Sequence, residues 1–207
     1  FDFNIMYSER GQLTLAHTDS TVRAFRQRAE VNKHFGGRTE MIDRQQIKEL
    51  VPCLNLDPAH LPVLAGLWHM DGATARHDAV AWGYAKEAAK RGVEIHQLTE
   101  VQDFVTEKNQ VTAVKTNRGS IKCGCVVQAI AGASSILMNK LHIKSPIHTF
   151  PLQAMVSQPF KPFINPLVSS SALHCYVQQT SRGEIVFGGG SDPVSYTHLT
   201  LPTSDLV

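Results

Sequence analysis

Short strand-like runs and amphipathic helical stripes alternate along most of the chain. Two runs, 5–7 and 12–16, flank Glu9-Arg10-Gly11 and predict a hairpin with glycine in the tight turn. Val22, Phe25 and Ala29 form the apolar stripe of a helix that Asp19 or Ser20 caps, that runs to about His34, and that Gly36-Gly37 ends. Asp43 followed by Gln46 has the spacing of a capping box for a short helix carrying Ile47, Leu50 and Val51, which Pro52 stops. An apolar run over 64–70 predicts a strand. A longer helix is expected from about Arg76 to Lys90, with Val80, Ala81, Tyr84, Ala85 and Ala88 facing inward. Lys90 and Arg91 complement its C-terminal dipole, Gly92 suits the position just past its end, and 93–96 should follow at once as a strand.

Beyond this point the period is that of β-structure. Strands over 101–106, 111–116 and 120–122, separated by 108–110 and 117–119, predict a three-stranded meander. The apolar run 125–132 is expected to be a buried parallel strand ending at a small-residue turn. From Phe150 onward the runs 153–158, 173–178 and 184–187 are β-rich, with turns at 159–162 and 180–183. The fold class expected is α/β (α+β), a nucleotide-binding layer joined near 145–150 to an antiparallel layer.

Net charge is +2 over 207 residues with the basic residues dispersed, which argues against a dedicated nucleic-acid binder. The cluster over 23–28 reads as the solvated face of its helix. No apolar run approaches the roughly 20 residues that span a bilayer, and the opening segment lacks the regions of a secretory signal. Cys53, Cys123, Cys125 and Cys175 include no CxxC, and ten histidines include no HExxH. Reduced thiols in a cytoplasmic protein, with no metal site, are expected. The chain starts without Met at a strand-like segment. Residues 194–203 break the preceding pattern and are similar to a translated sequencing adapter. An internal piece of a longer protein, followed by a non-native tail over 194–207, is the expectation.

Three segments carry candidate chemistry. Segment 126–135 holds a strand that ends in Ala131-Gly132, where backbone can approach a cofactor closely, although many α/β strands end in glycine for structural reasons. His77 falls at or just before the first turn of a helix, where free N–H groups favour anionic or electron-rich ligands, but a lone histidine there is usually a capping or satisfied polar residue. Gly188-Gly-Gly190 is not a phosphate loop; a strand end passing close to a ring, or a flexible turn, fits better.

Five segments in order carry a resemblance: Ser8-Glu-Arg-Gly-Gln-Leu-Thr-Leu-Ala-His17-Thr18, Ala75-Arg-His77-Asp78-Ala-Val-Ala-Trp82-Gly83, Thr116-Asn-Arg-Gly119, Ile147-His-Thr-Phe-Pro151-Leu-Gln-Ala154 and Gly183-Glu-Ile-Val-Phe-Gly188. Together they resemble the β subunits of heterotetrameric sarcosine oxidases, within the D-amino-acid oxidase and glycine oxidase superfamily. The likeness extends over nearly the whole chain before the expected tail. It implies FAD that oxidises sarcosine, a small secondary amine, and FMN that passes the electrons to oxygen. The implied products are glycine, hydrogen peroxide and a one-carbon unit, released as formaldehyde or taken up by tetrahydrofolate. The implied partners are α, γ and δ subunits, with no nucleic acid or membrane.

The family attaches FMN through its 8α carbon to a histidine in a Lys-His-Asp context, which Arg76-His77-Asp78 matches. An unprotonated imidazole is the nucleophile such attachment requires. Arg in place of the usual Lys keeps the charge and removes a titratable amine. For FAD, Val101 matches the position that packs on the adenine, and Ala131 and Gly132 match the strand end that approaches the dinucleotide. The implied domains are 1–18 and 43–70 as parts of the substrate and flavin-interface layer, 71–145 as part of an FAD-binding Rossmann-like domain with its meander at 99–122, and 146–193 as part of an antiparallel substrate domain. No catalytic residue is assigned, and the isolated chain is expected neither to hold FAD tightly nor to turn over. A single-flavin amine or amino-acid oxidoreductase and a non-catalytic scaffold subunit are the alternatives.

Overall fold

The computed structural model describes residues 2–147, 149 and 152–189. Gly190 and the tail expected at 194–207 lie outside them. In chain order the elements are β1 (Ser8–Glu9), β2 (Gln12–Ala16), α1 (Asp19–His34), β3 (Thr39–Ile42), α2 (Arg44–Leu50), β4 (Ala65–His69), β5 (Ala73–Thr74) and α3 (His77–Lys90). They continue with β6 (Val101–Glu107), β7 (Gln110–Thr116), β8 (Gly119–Lys122), α4 (Ser134–Lys140), β9 (Gln153–Pro159), β10 (Leu167–Ser170), β11 (Cys175–Gln179) and β12 (Glu184–Gly189). Among the described residues two compact units result, one from residues up to 84 together with those from 152, and one from residues 85 onward to 149.

The larger unit is built on a seven-stranded sheet of order β3-β4-β2-β10-β11-β12-β9. β10 runs parallel to β2, and every other neighbouring pair is antiparallel. Side chains alternate between the two faces of a strand, so β2 serves two cores at once. Leu13 and Leu15 join Ile42, Ile47, Val51, Val63 and Val168 under α2. Ala16 and Leu67 join Phe25 and Ala29 of α1. Leu13 and Ile47 are fully buried, and each such side chain contributes about 1.5–3 kcal/mol of burial free energy. The helix starts are defined locally. Thr18, one residue before the expected caps, accepts the Thr21 N–H, and the Asp43–Gln46 capping box is complete.

The expected hairpin does not form. β1 pairs with β5, Ser8 opposite Thr74, and both edges of β2 are taken by β4 and β10. No edge is left for residues 5–7. Gly11, at φ +76, instead turns the chain from the β1–β5 ribbon into the large sheet. Its N–H donates to Gly72 O at 2.7 Å, and a Cβ there would run into the Trp68 ring. The inner face of α3 also differs from expectation. Ala79 and Gly83 are its buried positions, Ala81 and Tyr84 are exposed, and a Cβ at Gly83 would lie 2.9 Å from Phe3 Cδ1. A glycine contributes nothing to a hydrophobic stripe, which is why the pattern pointed elsewhere.

The smaller unit contains the meander as expected, an antiparallel sheet of order β6-β7-β8. Lys108 and Asn109, both at positive φ, form the two-residue turn between β6 and β7. α3 ends in a Schellman motif, with Val93 N–H donating to Ala88 O and Gly92 N–H to Ala89 O. Residues 93–96 are not a strand, and 125–130 are not one either. Val93, Ile95, Val126 and Val127 are exposed. A buried parallel strand needs hydrogen-bonding neighbours, and among the described residues neither segment has one.

Candidate functional site

His77 is the first residue of α3, and its side chain is exposed rather than buried in a core. Its two neighbours in sequence are bound to each other. Arg76 Nε donates to both carboxylate oxygens of Asp78, at 2.7 and 2.9 Å. Asp78 also accepts the Ala79 N–H at 2.8 Å. The Arg76 guanidinium beside it, then that backbone N–H, holds the Asp78 carboxyl below the usual carboxylate range. The Arg76 guanidinium carbon lies 5.9 Å from the Trp82 ring centroid, and the Arg76 N–H donates to Ile5 O at 3.0 Å. Asp78 and Trp82 are four residues apart and share a helix face, so the guanidinium lies along the first turn. Among the described residues the His77 ring makes no hydrogen bond. A free, solvent-facing imidazole fits the chemistry of a covalent flavin tether.

The positions matched to FAD lie in the smaller unit. Val101 opens β6, half-buried and opposite Thr116. Ala131 and Gly132 form a 3-10 turn leading into α4 instead of closing a strand. Ala131 is held at φ +44, and both residues are exposed. Thr149 Oγ1 donates to Gly132 O at 3.0 Å, with its methyl 2.9 Å from where a Cβ on Gly132 would sit.

Pattern reading did not single out a cleft of about 540 Å³ in the larger unit. Its walls are largely apolar, with Leu15, Val63 and Val168 beside His17, Ser170 and Tyr176. His17 is buried. Its Nδ1 lies 3.2 Å from both Leu61 O and Pro62 O. Carbonyls only accept, so Nδ1 carries the proton and Nε2 accepts from Ser170 Oγ at 2.9 Å. Ser170 Oγ in turn accepts the Leu173 N–H. One imidazole thus joins the 54–63 loop to the turn after β10. The signal in the sequence was a histidine closing the apolar strand Leu-Thr-Leu-Ala. Gly188, paired with Tyr176 across β11 and β12, has the Tyr176 hydroxyl 2.8 Å from where its Cβ would be. The ring passing close to that strand end is Tyr176.

The family described as "FAD dependent oxidoreductase" matches residues 1–206. The chain is 41% identical over 191 residues to a protein of Rhodobacter capsulatus named sarcosine oxidase subunit beta, covering 92% of this chain and 46% of that protein. A sarcosine oxidase subunit beta of Rhizobium meliloti is also 41% identical, over 93% of this chain and 46% of its own length. Among solved structures, L-proline dehydrogenase from P. horikoshii superposes with a TM-score of 0.77 and 32% identity, covering 91% of this chain and 50% of that one. The chain spans about half the length of the curated relatives it matches.

Proposed function

The chain belongs to the FAD-dependent oxidoreductase family, and from that premise we propose that it is part of a sarcosine oxidase β subunit carrying FMN covalently on His77. The observation that carries this reading is 41% identity along 92% of the chain to a sarcosine oxidase subunit beta. The exposed imidazole at the head of α3 supports it. When bound, the flavins supply two-electron oxidation of a small secondary amine and relay of the electrons to oxygen. The chain's own residues hold and orient. His77 offers a ring nitrogen for attachment, beside the Arg76–Asp78 ion pair. Val101, Ala131 and Gly132 lie against FAD in this reading. The smaller unit then belongs to the dinucleotide domain, and the large sheet to the substrate domain. The products are glycine, hydrogen peroxide and a one-carbon unit that tetrahydrofolate can accept. The partners are α, γ and δ subunits, in the cytoplasm.

A second reading is a single-flavin amine or amino-acid oxidoreductase; the superposition on L-proline dehydrogenase supports an amino-acid substrate of that kind. One experiment separates the two. The full-length protein, co-expressed with its partner subunits, is assayed for sarcosine-dependent peroxide and for a yellow-fluorescent band on a denaturing gel. Both signals support the two-flavin reading. Peroxide with a colourless band supports a single-flavin enzyme, and neither signal removes the two-flavin sarcosine reading.

A further inference from the structure

Between Arg76 and Asp78, which are locked together, stands a histidine with no hydrogen bond among the described residues. This pairing has a chemical consequence. An aspartate beside a histidine is a natural acceptor for the imidazole N–H, and such a pair draws the ring toward its cationic, non-nucleophilic form. Here both Asp78 oxygens are engaged by the Arg76 Nε, at 2.7 and 2.9 Å, and one also by the Ala79 N–H. The guanidinium is itself secured by the Trp82 ring and, through its backbone, by Ile5 O.

We propose that Arg76 is a positioning residue that occupies the Asp78 carboxylate and so keeps it off the neighbouring His77 imidazole, leaving that ring free to take the flavin. The inference rests on the reading of His77 as the flavin tether. Attachment forms one bond between a ring nitrogen and the flavin 8α carbon. One hydrogen leaves the imidazole and one leaves the flavin methyl, and their two electrons pass to dioxygen, giving hydrogen peroxide. Arginine suits the role because its Nε–H is shared between the two oxygens, at 2.7 and 2.9 Å, and its charge never titrates away.

The test compares Arg76→Met, Asp78→Asn and the double variant with the wild type and with His77→Ala, each in the full-length subunit co-expressed with its partners. Covalent flavin per chain is read by gel fluorescence and intact mass. Arg76→Met should lose covalent flavin severalfold, because the released carboxylate captures the imidazole. Asp78→Asn should stay near wild type, and the double variant should recover to that level, which a purely structural ion pair would not allow. A flavin-independent readout follows the rate at which diethyl pyrocarbonate acylates His77 in the flavin-free full chain. That rate should fall in Arg76→Met and return in the double variant. Full flavin attachment in Arg76→Met overturns the inference alone, as does a double variant no better than the single. A wild type without covalent flavin, or a His77→Ala chain that retains it, instead overturns the tether reading beneath it.

Discussion

His17 Nε2 and Ser170 Oγ meet at 2.9 Å across 153 positions of sequence. β2 and β10 are parallel neighbours, with Leu15 in register with Ser170, so the histidine that follows β2 reaches the end of β10. Ser170→Ala would leave a buried ring nitrogen without its donor and the Leu173 N–H without its acceptor. The expected cost is about 1–3 kcal/mol, the penalty for a buried polar group left unpaired. Urea denaturation of the full-length protein measures it, and Ser170→Thr, which keeps the hydroxyl, should recover much of the loss.

The turn into the large sheet depends on a residue without a side chain. Gly11→Ala adds a Cβ to a residue at φ +76 and drives it into the Trp68 ring. A destabilisation of about 2 kcal/mol or more is expected from backbone strain and displaced packing together. Trp68→Leu removes the steric part, so a double-mutant cycle should show coupling between the two sites. Strict additivity would mean that the backbone alone sets the cost.

Asp71 supplies a pH dependence. Its carboxyl accepts the Arg38 N–H at 2.8 Å and pairs with the Arg38 guanidinium at 2.6 Å. That backbone hydrogen bond first, and the guanidinium second, lower its pKa. A carboxyl with a depressed folded pKa contributes stability that is fully present above its unfolded value and is lost as pH falls through the folded one. The Tm gap between wild type and Asp71→Asn should therefore be open at neutral pH and narrow below about pH 4, where the unfolded carboxyl titrates. A gap that stays constant into acid would show that the charge is not the source.

Much of the fold was legible wherever a signal is local. The Asp43–Gln46 capping box, the Phe25–Ala29 stripe and the 101–122 meander depend on residues a few positions apart. What escaped depends on distant partners. The hairpin failed because the edges of β2 belong to β4 and β10, and β10 lies more than 150 residues away in sequence. β3 and β10, four residues each, were too short to stand out as runs. The strands expected at 93–96 and 125–132 have the right composition, but β-propensity expresses itself only where a neighbouring strand completes the ladder. At the candidate site, Arg76-His77-Asp78 was legible as a motif and as a helix start. The engagement of Asp78 by Arg76 Nε was not, since sequence adjacency does not reveal which of two basic neighbours a carboxylate takes. The cleft closed by His17 and Ser170 required the sheet order itself.

Whether His77 carries a flavin is read by peptide mapping of the assembled enzyme. Trypsin cuts after Arg76 and Lys86, releasing the segment His77-Asp-Ala-Val-Ala-Trp-Gly-Tyr-Ala-Lys86. This peptide should be yellow and heavier by the mass of FMN less two hydrogens, with fragmentation placing the addition on the histidine. An unmodified 77–86 peptide from active, flavin-loaded enzyme would contradict a His77 tether.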